Sequence, residues 1–177
     1  MQADSVGPGV GATLRHDSFK AIAIALLLML LYIAIRFKFA FAVGAVVALF
    51  HDAFVILAFF LLTNKEISVD VIGAILAVLG YSVNDTIVIF NQIRENMKKL
   101  KGMPIDKIVN ISISQTLRRT LLTSFATALV VISLLAVGGE ALRNLSIALL
   151  LGIVFGTYSS IYIASPVMLL LYKDEKN

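Results

Sequence analysis

The hydrophobic residues of this chain fall into five long blocks separated by shorter polar stretches. The blocks run over about 19–35, 39–62, 69–90, 121–137 and 145–172. A bilayer core ~30 Å thick takes about 20 apolar residues of helix, so each block is of a length to cross one. The last is long enough to tilt or to run past the interface. The pattern predicts an all-α polytopic membrane protein, a bundle of five transmembrane helices over residues 19–172. Residues 1–18 are polar and glycine-rich and read as an extended segment or loop. They do not form a secretory signal, because no basic region precedes the apolar run. Between the third and fourth blocks lies a longer stretch, 92–120, interrupted at Gly102-Met103-Pro104. A helix is expected to resume there with Pro104 as its first residue, lie at the interface and feed the fourth span. Residues 173–177 form a short polar tail.

Composition points the same way. The chain of 177 residues is 59% hydrophobic, with a mean hydropathy of +0.95; soluble domains lie nearer about 45–50% apolar. With no cysteine, disulfides, thiol nucleophiles and thiolate metal ligands are excluded. His16 and His51 are too far apart in sequence to suggest a structural zinc site, so no metal and no cofactor is expected. There is no GxxxxGK[ST] phosphate loop. Any energy the chain uses must come from an ion gradient or a partner, and it is not read as an enzyme.

The net charge of +4 fits basic cytoplasmic loops better than nucleic-acid binding. With the N-terminus outside, Arg36, Lys38, Arg94, Lys98, Lys99, Lys101, Lys107, Arg118, Arg119, Lys173 and Lys176 all lie on the inner side. Only Arg15, Lys20, Lys65 and Arg143 lie outside. That asymmetry predicts an extracytoplasmic segment 1–18, a cytoplasmic loop 92–120 and a cytoplasmic tail 173–177. An outside start with no preceding helix is awkward, which hints at a longer parent sequence.

Helices in lipid associate where small residues let backbones approach. Gly73, Ala77, Gly80 and Asn84 form such a face in the third block. Ala148, Gly152, Gly156 and Ser160 form another in the fifth, and Gly44, Ala48 and Asp52 one in the second. These faces are expected to be buried, carrying Asn84 and Asp52 inward, and Pro166 is expected to kink the fifth span.

Ionisable residues at membrane depth are costly, about 2.5–3.5 kcal/mol for an Asp at a helix centre on insertion scales. Asp85 stands in GYSVNDTIVIF, well inside the third block and flanked by Tyr81, Ser82, Asn84 and Thr86. Removed from water, its carboxyl is suited to taking up and releasing a proton near neutral pH. The alternative is a neutral Asp acting as interhelical glue. His51 and Asp52 form a second polar pair, read chiefly as structural with a titrating role as the alternative. Arg118 and Arg119 are either the basic inner flank or part of a polar path. Arg119, Thr123 and Thr127 recur every four residues, a stripe that suits a wet path up the fourth helix.

Four segments carry a family resemblance, in order. SVGPGVG, GAVVALFHD, GYSVNDTIVIFNQIREN and SISQTLRRTLLTS resemble successive motifs of SecF protein-export subunits, and NDTIVIFNQIREN resembles SecF more than its partner SecD. The resemblance implies half of an SecDF-type membrane domain of the RND superfamily, without the first helix and soluble domain of that family. It implies a multi-pass chain in the prokaryotic cytoplasmic (inner) membrane, in complex with SecD beside the SecYEG channel. There the proton-motive force assists a translocating preprotein. It also implies that Asp85 carries the proton and that Arg119 is its essential basic partner. From their own positions rather than from the resemblance, Asn84, Thr86, Thr123, Thr127, His51 and Asp52 are read as supporting the pathway, and Gly73, Gly80, Gly152 and Gly156 the packing. Two other readings stand beside this one: an RND-type proton-coupled exporter of lipids or small molecules, and a structural scaffold of the translocon.

Overall fold

The computed structural model describes residues 8–172, which are helical almost throughout and contain no strand. The helices are α1 (Pro8–Arg36), α2 (Phe39–Leu62), α3 (Val69–Lys99), α4 (Ile105–Val137), α5 (Gly139–Ser159) and α6 (Ser165–Leu171). A π-helical turn, Ser160–Ala164, joins α5 to α6 without a break. Among the described residues, four helices are long and apolar enough to cross a membrane: Phe39–Leu62, Val69–Lys99, Ile105–Val137 and Gly139–Leu171.

Each helix end has a local cause. Thr63 closes α2, its hydroxyl donating to the Phe59 carbonyl at 2.7 Å. Asn64 then takes a positive φ of 51°, a left-handed conformation that Asn tolerates better than most residues. Gly102 turns the chain between α3 and α4 with φ 89°, where any side chain would be strained. The α4–α5 hairpin is tight: Gly138 donates to the Leu134 carbonyl at 2.7 Å.

Two expectations about helix bounds change. Residues 8–18, expected to be extended, belong to α1, with Pro8 at its start where a missing N–H costs nothing. The stretch 92–120 is mostly helix, because α3 runs on to Lys99 and α4 begins at Ile105. Only 100–104 lies outside helix, and Pro104 caps α4 in an extended conformation (ψ 140°) rather than opening its first turn. Charged residues do not end a helix that continues past the bilayer into water.

The bundle is built around α3, which packs against α2, α4 and α5, while α1 lies on α2. Its interior has two apolar regions. One gathers Ile33, Phe37, Phe41, Phe90, Ile93 and Met168; here Phe41 meets Phe90 edge-on at 5.0 Å, and Arg36 and Arg94 lie over the Phe37 ring at 5.7 and 5.6 Å. The other gathers Leu49, Ile56, Phe60, Ile75, Val78 and Leu79. Between them, along α2, α3, the end of α5 and the start of the π turn, lie Asp52, Ser82, Thr86, Ser159 and Ser160, all buried.

The small-residue faces are not equivalent. On α5, a Cβ added at Gly152 would run into the Val78 side chain, and one at Gly156 would lie 3.1 Å from Ser82 Cβ. At Gly44 it would sit 2.5 Å from the Ala164 carbonyl oxygen, where α2 crosses the π turn. On α3 the expectation is reversed. Gly73, Ala77, Gly80 and Asn84 are all exposed, and a Cβ at Gly73 or Gly80 would meet nothing within 4 Å. α3 turns its β-branched and larger residues inward, Val71, Ile75, Val78 and Leu79. The glycines of α5, not those of α3, make room at that contact. Gly73→Ala and Gly80→Ala should therefore leave the thermal stability of the chain unchanged or raise it by up to about 1 kcal/mol, the helix-propensity gain. A clear loss of stability in either variant, measured in detergent without other proteins, would return these glycines to the interior.

Candidate functional site

α3 carries polar residues on two adjoining faces. Toward α2 and α5 it presents Ser82 and Thr86. The fully buried Asp52 of α2 accepts from Ser82 Oγ at 2.6 Å and from Ser159 Oγ at 2.9 Å. His51 Nδ1 lies 3.2 Å from the other carboxyl oxygen. Thr86 and Ser160 hydroxyls are 2.9 Å apart, and the Ser82 carbonyl accepts from both, at 3.2 and 3.3 Å. Buried polar groups are stable only when paired, and this network ties three helices together in one register. His51 is half-buried, with its ring 6.5 Å from that of Tyr158.

The π turn feeds this network. Pro166 has no N–H and its ring clashes with the usual helical carbonyl; the five-residue π turn ends at Ala164, two residues before it. Ser159, just before that turn, and Ser160, its first residue, both reach partners outside their own helix. Such bulges are frequent at functional positions.

Toward α4, α3 presents Tyr81 and Asp85. Asp85 is 4% exposed, and its Oδ2 is buried with no hydrogen-bond partner among the described residues. Ser124 lies beside the carboxyl, and the Arg119 guanidinium is close enough to act on it through space. Ser124 in turn contacts Tyr81 OH at 3.3 Å and Thr157 Oγ1 at 2.6 Å. The polar α4 residues facing the bundle are Ser112, Thr116, Thr120 and Ser124.

That stripe corrects the sequence reading by one position. Arg119 and Thr123 are exposed, Thr127 is half-exposed, and both threonine hydroxyls are spent on their own helix, donating to the Arg119 and Thr123 carbonyls at 3.1 and 2.9 Å. Two polar stripes with the same spacing lie side by side on α4, and spacing alone does not say which faces inward. Asn84 is likewise exposed, away from the carboxyl beside it. The sequence reading also missed Ser124, Thr120, Thr157 and Ser159. Their only signal was a high density of hydroxyls in apolar helix.

Toward the Lys99 end of α3, Asn96 donates to Ser112 Oγ and Gln115 Oε1, both at 2.8 Å, and Gln92 donates to Gln115 at 2.9 Å. With Thr116 and Thr120 these residues make a line of polar side chains along the α3/α4 seam up to Asp85.

Residues 1–174 match the family described as protein export membrane protein SecD/SecF, C-terminal. Protein translocase subunit SecF of Koribacter versatilis is 49% identical over 169 residues, which are 96% of this chain and 42% of that protein. SecF of Rhodothermus marinus is 47% identical over 175 residues, 96% of this chain and 57% of that protein. The chain thus spans about half the length of these SecF relatives. The crystal structure of SecDF from Thermus thermophilus, described as a translocon-associated membrane protein, superposes with a TM-score of 0.89 at 42% identity. That match covers 93% of this chain and 23% of SecDF. With a SecF-like sequence along nearly its whole length and the helical arrangement of the SecDF membrane region, the chain belongs to the SecD/SecF C-terminal family of protein export membrane proteins, as a member of SecF type.

Proposed function

We propose that this chain is the membrane half of a SecF subunit. With SecD, and beside the SecYEG channel, it uses the proton-motive force to assist a secretory preprotein across the prokaryotic inner membrane. The observation that carries the reading is Asp85: a buried carboxyl with one unpartnered oxygen, within the field of Arg119 and at the end of a line of polar side chains. A carboxyl serving only as glue would have both oxygens engaged, as Asp52 does. The chain breaks no covalent bond in this reading; it couples ion movement to a change of shape. The experiment is precursor translocation into vesicles by the complete translocase containing this chain. A proton gradient is expected to accelerate it, and equal rates with and without the gradient reject the coupling.

The same reading sets the topology: five spans, with α1 supplying the first, the N-terminal segment outside, and the Leu100–Pro104 turn and the C-terminal tail in the cytoplasm. Its basis is the basic residues crowded at one end of the bundle. Single cysteines replacing Ser5, which lies outside the described residues, and Lys101 put it to test in this cysteine-free chain. An impermeant thiol reagent applied to spheroplasts should label the first and spare the second; the reverse pattern inverts the orientation.

A further inference from the structure

The eight hydroxyl residues of α4 do not behave alike. Ser112, Ser114, Thr116, Thr123, Thr127 and Ser133 all donate to the carbonyl four residues back, the usual resting place of a hydroxyl in an apolar helix. Ser124 reaches across to Tyr81 and Thr157 instead. Thr120 does neither. It is 1% exposed, and its Oγ1 is buried with no partner among the described residues. The other such side-chain atom among the described residues is Asp85 Oδ2.

The seam brings these two together. α3 and α4 run antiparallel, pinned by Asn96 to Ser112 and Gln92 to Gln115 at one end and by Tyr81 to Ser124 further along. Between those pins Asp85 comes level with the turn of α4 that carries Thr120. A buried donor and a buried acceptor, each unpaired and both on one seam, are an arrangement that folded chains avoid unless something joins them. An internal water needs two to four polar partners, and Thr120 Oγ1 and Asp85 Oδ2 supply two.

We propose that Thr120 and Asp85 together form a binding site for a single water molecule, through which Asp85 exchanges its proton. In the step itself, a hydronium at this position gives one proton to Asp85 Oδ2, forming the O–H bond of the neutral acid and leaving a neutral water. Release is the reverse. Thr120 holds the water oxygen at the carboxyl. The line Asn96, Gln92, Gln115, Ser112 and Thr116 is the approach along which the proton arrives from the end of the bundle rich in basic residues. The inference rests on the reading of Asp85 as the proton carrier and names the group that serves it.

Infrared difference spectroscopy of the chain in lipid bilayers tests the site apart from export. A water O–H stretching band that shifts in heavy-oxygen water and disappears in Asp85→Asn is expected in the wild type. It should also disappear in Thr120→Val, which keeps the shape but not the hydroxyl, and persist in Thr120→Ser. In the complete translocase, gradient-driven translocation should fall about tenfold in Thr120→Val, the scale of one hydrogen bond to a charged group, and recover in Thr120→Ser. Where Thr120→Val lowers the helical content or melting temperature, Thr120→Ala is read in its place. Persistence of the band in the variants lacking the hydroxyl, or its absence from the wild type, overturns the proposal. A band that behaves as expected alongside translocation indifferent to the gradient upholds the water site and removes the coupling instead.

Discussion

Asp85→Asn should abolish the acceleration of precursor translocation by a proton gradient while leaving the bundle assembled. The substitution keeps the planar shape of the side chain and removes the ionisable proton. Asp85 lies on the α3/α4 seam, away from the Asp52 network that links α2, α3 and α5, so the assembly contacts of that network are untouched. Each proton that crosses about 100 mV releases about 2.3 kcal/mol. That amount biases a two-state equilibrium roughly fiftyfold, and a site that cannot release its proton forfeits all of it. A ligand or ion moves a conformational equilibrium only through its unequal affinity for the two states; in the proposed mechanism a change in the separation of Arg119 and the carboxyl would make protonation unequal. Arg119→Lys retains a charge but loses the planar guanidinium, and a partial loss of gradient stimulation is the expected outcome. The measurement is the translocation rate with and without the gradient, paired with the melting temperature of each variant. Wild-type stimulation in Asp85→Asn would remove Asp85 from the mechanism, and a collapsed melting temperature would make it a structural group.

Gly152→Leu should prevent the bundle from assembling. At Gly152 an added Cβ overlaps the Val78 side chain, including Val78 Cβ at 2.8 Å, which is fixed to the α3 backbone. The neighbour therefore cannot yield by rotating a flexible end. Even Gly152→Ala sets a helix-propensity gain of about 1 kcal/mol against overpacking of about 1–3 kcal/mol, and the overpacking term prevails. Leucine adds three more carbons to the same collision, on the contact between α5 and the central helix. Val154, two positions along α5 and exposed to the surroundings, supplies the control: Val154→Leu should melt as the wild type does. Equal melting temperatures for Gly152→Leu and Val154→Leu in detergent would contradict the α3/α5 packing described here.

Much of the molecule was legible in the sequence because it depends on local quantities. Apolar block length placed α2 over 39–62, where the structure has it, and the later apolar blocks fall within the other helices long and apolar enough to cross a membrane. The cost of a charge in lipid singled out Asp85 and Asp52, and the four-residue recurrence of small side chains on α5 marked Gly152 and Gly156 at a close helix contact. What the sequence left open was which way each face turns. In water, polarity separates an inner face from an outer one, but in lipid both faces are apolar and hydropathy carries no such information. Spacing alone therefore put the exposed Gly73, Gly80 and Asn84 inside, and singled out the Arg119, Thr123, Thr127 stripe while the buried Ser112, Thr116, Thr120, Ser124 stripe beside it went unread. Only the packing of α3 against α4 and α5 decided between faces of equal periodicity. It also decided the partners of Asp52, which meets Ser82 and Ser159 across 30 and 107 residues of chain. Contacts of that separation depend on where whole helices cross, and no run of neighbouring residues encodes a crossing point.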